Sequence, residues 1–165
     1  MPTPRERKKP SVFVIAWSIR GSSSPVTVLL GDPRLAERLL SGSPAKNAVD
    51  TYLPGGPDFS EATAEHFDEV AEQCQAAGYR VVRIPVAPGI DGRTYITYLN
   101  AILDQRDGRR IVYMPTFGPA EVLNRAAAEV WTGLGFEVRP VDCTASCRHF
   151  GALHCLVNVL CRDGT

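Results

Sequence analysis

One pattern occurs twice in this chain of 165 residues and narrows what it can fold into. Gly78-Tyr79-Arg80-Val81-Val82-Arg83-Ile84-Pro85-Val86 follows a stretch of helical periodicity. After a loop it is followed by Tyr98-Leu99-Asn100-Ala101-Ile102-Leu103. Gly135-Phe136-Glu137-Val138-Arg139-Pro140-Val141 likewise follows a helical stretch and precedes Leu156-Val157-Asn158-Val159-Leu160. Each copy reads helix, glycine stop, strand, loop, strand with Asn. Glycine ends a helix because it takes the left-handed conformation at little cost, and the β-branched run behind it suits a pleated strand. Two copies of one supersecondary unit predict an α/β fold of stacked or radial units rather than a single open sheet.

The flanking residues extend this reading. Residues 1–10, with Arg5, Arg7, Lys8 and Lys9, are expected to be a solvated basic tail, and residues 11–165 one domain. Residues 12–18 and 26–30 read as strands on either side of the Gly21–Pro25 turn. The first of these runs is short and β-branched, and Arg20 directly after it spoils a leader-peptide reading. Asp32-Pro33 opens a helix to about residue 40, with Asp as N-cap and Pro in the first turn. Residues 41–58, rich in Gly, Pro and Ser, read as a loop. Phe67, Val70, Ala71 and Cys74 share one face of a helix over residues 59–77. Residues 94–103 read as one strand, and Arg106-Asp107-Gly108 as a hairpin turn into a strand over 110–114. A helix over 120–134, a strand over 136–141, a loop over 142–149 and a last strand over 150–160 complete the expectation.

Composition excludes more than it selects. Eighteen basic and eighteen acidic residues balance, which steers the chain toward neither nucleic acid nor an anionic membrane. No apolar run approaches the roughly 18 residues of a membrane span. The cysteines, Cys74, Cys143, Cys147, Cys155 and Cys161, are odd in number, which fits a reducing cytoplasm better than a secreted disulfide framework. Cys143 and Cys147 lack the Cys-x-x-Cys spacing of structural zinc.

Met114-Pro115-Thr116-Phe117-Gly118-Pro119 precedes the second helix, and Gly151-Ala152-Leu153-His154-Cys155-Leu156-Val157-Asn158 follows its strand. With Tyr98-Leu99-Asn100 upstream, this ordered set resembles the guanidine-modifying (pentein) superfamily. It is most similar to the C-terminal part of protein-arginine deiminase, and the agmatine deiminase branch is also similar. The resemblance covers about residues 79–162. It implies ββαβ modules forming part of an α/β propeller, of which this chain holds about two. It also implies Cys155 as nucleophile, with Gly151, His154 and Asn158 as structural members of the motif. The implied activity converts peptidyl arginine, or a small guanidino compound in the agmatine branch, to a ureido product with loss of ammonia. Calcium is known for the protein-arginine branch. No acidic segment of this chain supports a metal or another cofactor.

That chemistry sets requirements. A delocalised guanidinium is a poor electrophile, so attack needs a thiolate, a proton donor for ammonia and carboxylates to hold the planar cation. The family's His-x-Asp/Glu motif would fall before Val12 and is not in this chain. His66-Phe67-Asp68-Glu69 imitates it, but residues two apart on a helix do not share a face. His154, next to Cys155 on the expected strand, would point to the opposite face. His149 and Asp142, in the loop before that strand, are the neighbours expected near a substrate, although a solvated histidine and a turn-forming aspartate are their simpler readings. The chain is therefore expected to hold the nucleophile but not its whole supporting set. It is expected either to be completed by a second polypeptide or to serve as an inactive binding or assembly module.

Overall fold

A computed structural model describes residues 25–149 and 151–157, with the backbone alone for Val14–Trp17, Arg148 and His149. The expected basic tail, the Gly21–Pro25 turn apart from its last residue, and Asn158 and Cys161 lie outside the described residues. The chain is mixed α/β, with two small mixed sheets.

The two sheets are built the same way. In the first, β1 (Val14–Trp17) pairs antiparallel with β2 (Thr27–Asp32), and β2 pairs parallel with β3 (Arg80–Pro88) after α1 (Pro33–Leu40), α2 (Ala45–Tyr52) and α3 (Glu61–Ala76). A short β4 (Tyr95–Thr97) adds antiparallel to β3. In the second, β5 (Ile102–Arg106) pairs antiparallel with β6 (Arg109–Thr116), and β6 pairs parallel with β7 (Glu137–Asp142) after α4 (Glu121–Gly133). Each parallel ladder begins two residues past the glycine that stops the preceding helix, at Arg80 after Gly78 and at Glu137 after Gly135. Both glycines have positive φ, 86° and 80°. Helix, glycine stop and strand recur as read from sequence, inside a repeated ββαβ arrangement, but the closing strand with Asn does not, since Asn100 lies between β4 and β5 and Leu156 is in a helical turn.

Local chemistry accounts for most boundaries. Asp32 caps α1 by accepting the Leu35 N–H at 2.9 Å, with Pro33 in the first turn. Ser60 caps α3 by accepting the Thr63 N–H. The β5–β6 hairpin turns on Asp107 and Gly108, both at positive φ (50° and 73°), which matches the right-handed twist of the strands. Gly31 is required by crowding, since a Cβ there would sit 2.7 Å from Val86 Cγ1.

Three expectations need correction. The loop expected over 41–58 contains α2, whose Val49 and Tyr52 reach the core despite weak helix signals around it. The strand expected over 94–103 is two strands in two different sheets, because the chain leaves the first sheet after Thr97 and buries Tyr98, Leu99 and Ala101 on its way to the second. The strand expected over 150–160 is a single helical turn, α5 (Leu153–Leu156), in its described part. Its amides are satisfied from outside the segment, which no local pattern announces.

One core serves both units. Leu29, Ile84, Ile96, Val112, Met114, Phe117, Leu123 and Trp131 belong to a single buried cluster, and α4 packs against β3 of the first unit as well as β6 and β7 of its own. Within that cluster lies one polar knot. The Tyr98 hydroxyl donates to Asn124 Oδ1 at 2.9 Å, and Asn124 also accepts the Phe117 N–H at 3.1 Å and donates to the Phe117 carbonyl at 2.9 Å. Replacing Asn124 by Ala strands these buried groups and is expected to lower the unfolding free energy by about 3 kcal/mol, against about 1 kcal/mol for Tyr98→Phe, as read by urea denaturation. Burial pushes the Tyr98 hydroxyl well above the usual tyrosine range, with Glu121 adding to the rise. Its contribution is therefore complete below the unfolded value and lost as pH rises through the folded one. Stability is expected to fall above about pH 10, and the part of that fall due to Tyr98 to vanish in Tyr98→Phe.

Candidate active site

The segment that carries Cys155 has no side-chain cap of its own. Ala152 stands at the N-cap of α5 and offers no acceptor. Asn100, from the connection between β4 and β5, takes that role from another part of the chain. Its Oδ1 accepts the His154 N–H at 2.7 Å and the Cys155 N–H at 3.3 Å. Its backbone carbonyl also accepts the His154 N–H, at 3.2 Å. Its Nδ2 then donates to the Cys155 sulfur at 3.0 Å.

Asn100 can do this because its neighbours are fixed. Tyr98, Leu99 and Ala101 are buried around it, and Tyr98 is tied to Asn124. Cys155 itself is exposed. An exposed thiol with a rigid amide N–H aimed at its sulfur is an arrangement suited to nucleophilic attack, because negative charge on sulfur has a donor already in place. Gly151 lies beside it, and a Cβ there would come within 3.5 Å of the Cys155 Cβ.

The other expected site residues fall as follows. His154 is the adjacent residue of the same turn and is exposed. Because the two residues lie on a helical turn and not on a strand, His154 and Cys155 do not point to opposite faces as expected. His149 ends the 3-10 turn Ser146–His149, where its backbone is described and its side chain is not. Asp142 closes β7, and its carboxylate accepts the Thr144 N–H at 2.9 Å and the Thr144 hydroxyl, while that hydroxyl accepts the Gly118 N–H at 2.8 Å. These bonds make Asp142 a turn former. The Thr144 hydroxyl and amide hold its carboxyl below the usual range, so the turn is secured above that range and loosens as pH falls through the lowered value.

His66 and Asp68 diverge as their helical spacing predicts. His66 Nδ1 lies 3.6 Å from Glu69, whereas Asp68 pairs with Arg34 and, at 2.8 Å, with Arg83. Neither belongs to the site. Asn100 is the member of the candidate site that sequence reading did not place beside Cys155. Its signal was present, since it is the Asn of the first repeat copy, but its partners are more than fifty positions away. Among the described residues, no three side chains of His, Cys, Asp and Glu converge, so these residues assemble no calcium or zinc site.

Asn100→Ala removes the acceptor for two amides of α5 and the donor to Cys155. It is expected to cost about 1–2 kcal/mol. Amide exchange at His154 and Cys155 should speed up while exchange in β6 stays slow, as read by site-resolved hydrogen exchange. Unchanged protection at both amides would remove Asn100 from the site.

No protein-family model matches this chain, and no curated protein and no solved structure is found to be similar to it.

Proposed function

We propose that this chain is the nucleophile-bearing part of a cysteine-dependent guanidine hydrolase of the protein-arginine deiminase kind, incomplete as a stand-alone catalyst. The observation that carries the reading is the exposed Cys155 thiol under the Asn100 amide, within the Gly151–Asn158 motif. The paired ββαβ units are in keeping with it.

In the proposed reaction the Cys155 thiolate attacks the guanidinium carbon and a C–S bond forms. One C–N bond breaks, and the nitrogen leaves as ammonia after taking a proton. Water then attacks the same carbon, the C–S bond breaks, and the ureido product departs as the thiol is restored. The Asn100 amide steadies the sulfur before attack and again as it leaves. The described residues supply neither a positioned acid–base group nor a free pair of carboxylates at Cys155. Asp142, the nearest expected acid, is committed to its turn.

A second reading rests on a separate observation. A groove of about 520 Å³ lies between α4 and β7, with Met114, Val138 and Pro140 among its apolar residues and Glu121, Arg125 and Asp142 among its charged ones. In the first unit, α4 of the second covers the corresponding strand, β3. The groove beside β7 is where a further ββαβ unit from a second polypeptide would sit. The chain would then act as an assembly module.

The isolated chain is expected to release negligible citrulline or ammonia from an arginine peptide, and negligible ammonia from agmatine. Loss of general acid–base help alone is worth about a hundred- to ten-thousandfold, and cooperating groups do not contribute independently. A haloacetamidine, which carries its electrophile on a guanidinium-like cation, should label Cys155 ahead of Cys74 and Cys143, as mapped by mass spectrometry. Brisk turnover abolished by Cys155→Ala would overturn the incompleteness. Labelling that bypasses Cys155 would overturn the nucleophile.

A further inference from the structure

The two units differ in one place where their likeness predicts a match. α1 leads the crossover from β2 to β3, as α4 makes the crossover from β6 to β7. In the first unit the space beside α1 and over β3 is filled, because α4 of the second unit packs against both. In the second unit the corresponding space, between α4 and β7, is the open groove of about 520 Å³. Its floor and walls suit a helix. Met114 is buried at its base, Val138 and Ala128 are half-buried, and Pro140 is exposed. At its rim Glu121 and Arg125 stand one helical turn apart on α4, both exposed. Neither is ion-paired with another described residue, although their spacing on one helix would allow it.

We propose that a second copy of this chain fills the groove, in a two-fold dimer in which each α4 lies antiparallel to its partner's, in the groove beside the partner's β7. The proposal rests on the assembly reading of this groove and is independent of Cys155. It names the second polypeptide as another copy of the same chain.

Charge selects the copy and the register. A two-fold interface uses one patch twice, so the patch must complement itself. Antiparallel α4 helices can set Glu121 of one protomer against Arg125 of its partner, and the axis repeats the pair. The same register places Gly118 across from Ala128, where two small residues let the helix backbones come close. A slip of one turn in one direction would oppose Arg125 to Arg125 and Glu121 to the exposed Glu129. A slip in the other direction would oppose Glu121 to Glu121. Like charges penalise both slips, so a single register is favoured. The two-fold arrangement also fills both grooves at once. Insertion of the first unit of one copy into the groove of the next would leave a groove open at one end and build an open chain unless it closed into a ring.

The test uses the full chain. Light scattering behind size exclusion, over a series of concentrations, should show a monomer passing into a dimer and into nothing larger. Carbodiimide footprinting should find Glu121 severalfold less reactive in the dimer than in the monomer, while Glu72 of α3, exposed and outside the groove, keeps its reactivity. Glu121→Arg alone and Arg125→Glu alone should each raise the dimer dissociation constant by about tenfold or more, since each creates two contacts between like charges. The double variant Glu121→Arg/Arg125→Glu should restore dimerisation close to the wild-type level, which a merely structural role for either residue would not produce. Should a variant fail to fold by circular dichroism, the stoichiometry and the Glu121 footprint of the wild-type chain decide alone. A monomer at every concentration, a dimer whose Glu121 stays fully reactive, open-ended growth, or a double variant that restores nothing overturns the proposal. A monomer with Glu121 as reactive as Glu72 leaves the assembly reading standing, with the groove free for a different polypeptide. A monomer with Glu121 shielded removes that reading as well, because the chain then fills its own groove.

Discussion

The structure turns on a buried amide. Asn124, near the start of α4, satisfies both the N–H and the carbonyl of Phe117 and receives the Tyr98 hydroxyl. Phe117 belongs to the turn between β6 and α4, whereas Tyr98 belongs to the connection leaving the first unit. One side chain therefore fixes how the second unit's helix leaves its sheet and where the first unit's exit strand lies against it. In a low-dielectric interior such a knot is stabilising only when complete, because each stranded group costs about as much as a typical hydrogen bond is worth, or more. The aromatic rings of Tyr98 and Phe117 meet edge to face around it, with centroids 5.7 Å apart.

The candidate site inherits its rigidity from that knot. Asn100 stands two residues past Tyr98, flanked by buried Leu99 and Ala101. It transfers the fixed position of the connection to α5, a turn too short to hold its own amides. The same side chain reaches the Cys155 sulfur. Fold and site thus share one four-residue connection, residues 98–101. Changes at Asn124 and at Asn100 should be coupled, since the first sets the backbone from which the second acts.

A second polar network explains why a catalytic-looking motif is structural. Asp68 on α3 binds Arg34 of α1 and Arg83 of β3, and Arg83 Nε lies 3.6 Å from Asp32, the cap of α1. Two arginines and two aspartates join helix, strand and helix start in the first unit. Glu61 extends the set through Arg34. These groups are only partly buried, so their worth lies in geometry more than in energy.

Much of this was legible in the sequence. The glycine stops at Gly78 and Gly135, the Asp32-Pro33 helix start and the Asp107-Gly108 hairpin are local events, decided by backbone conformations that few residues adopt. Their order was enough to read a repeated α/β unit, whereas Cys155 was singled out only by the resemblance that the Gly151–Asn158 motif carries. Tertiary structure decided the rest. Whether residues 94–103 form one strand or two depends on which sheet each end joins, and pairing partners are not encoded by alternation. Whether Cys155 lies on a strand or a turn depended on Asn100, a partner 55 positions away. A short segment has too little local free energy to choose its own conformation, so a few distant hydrogen bonds choose it.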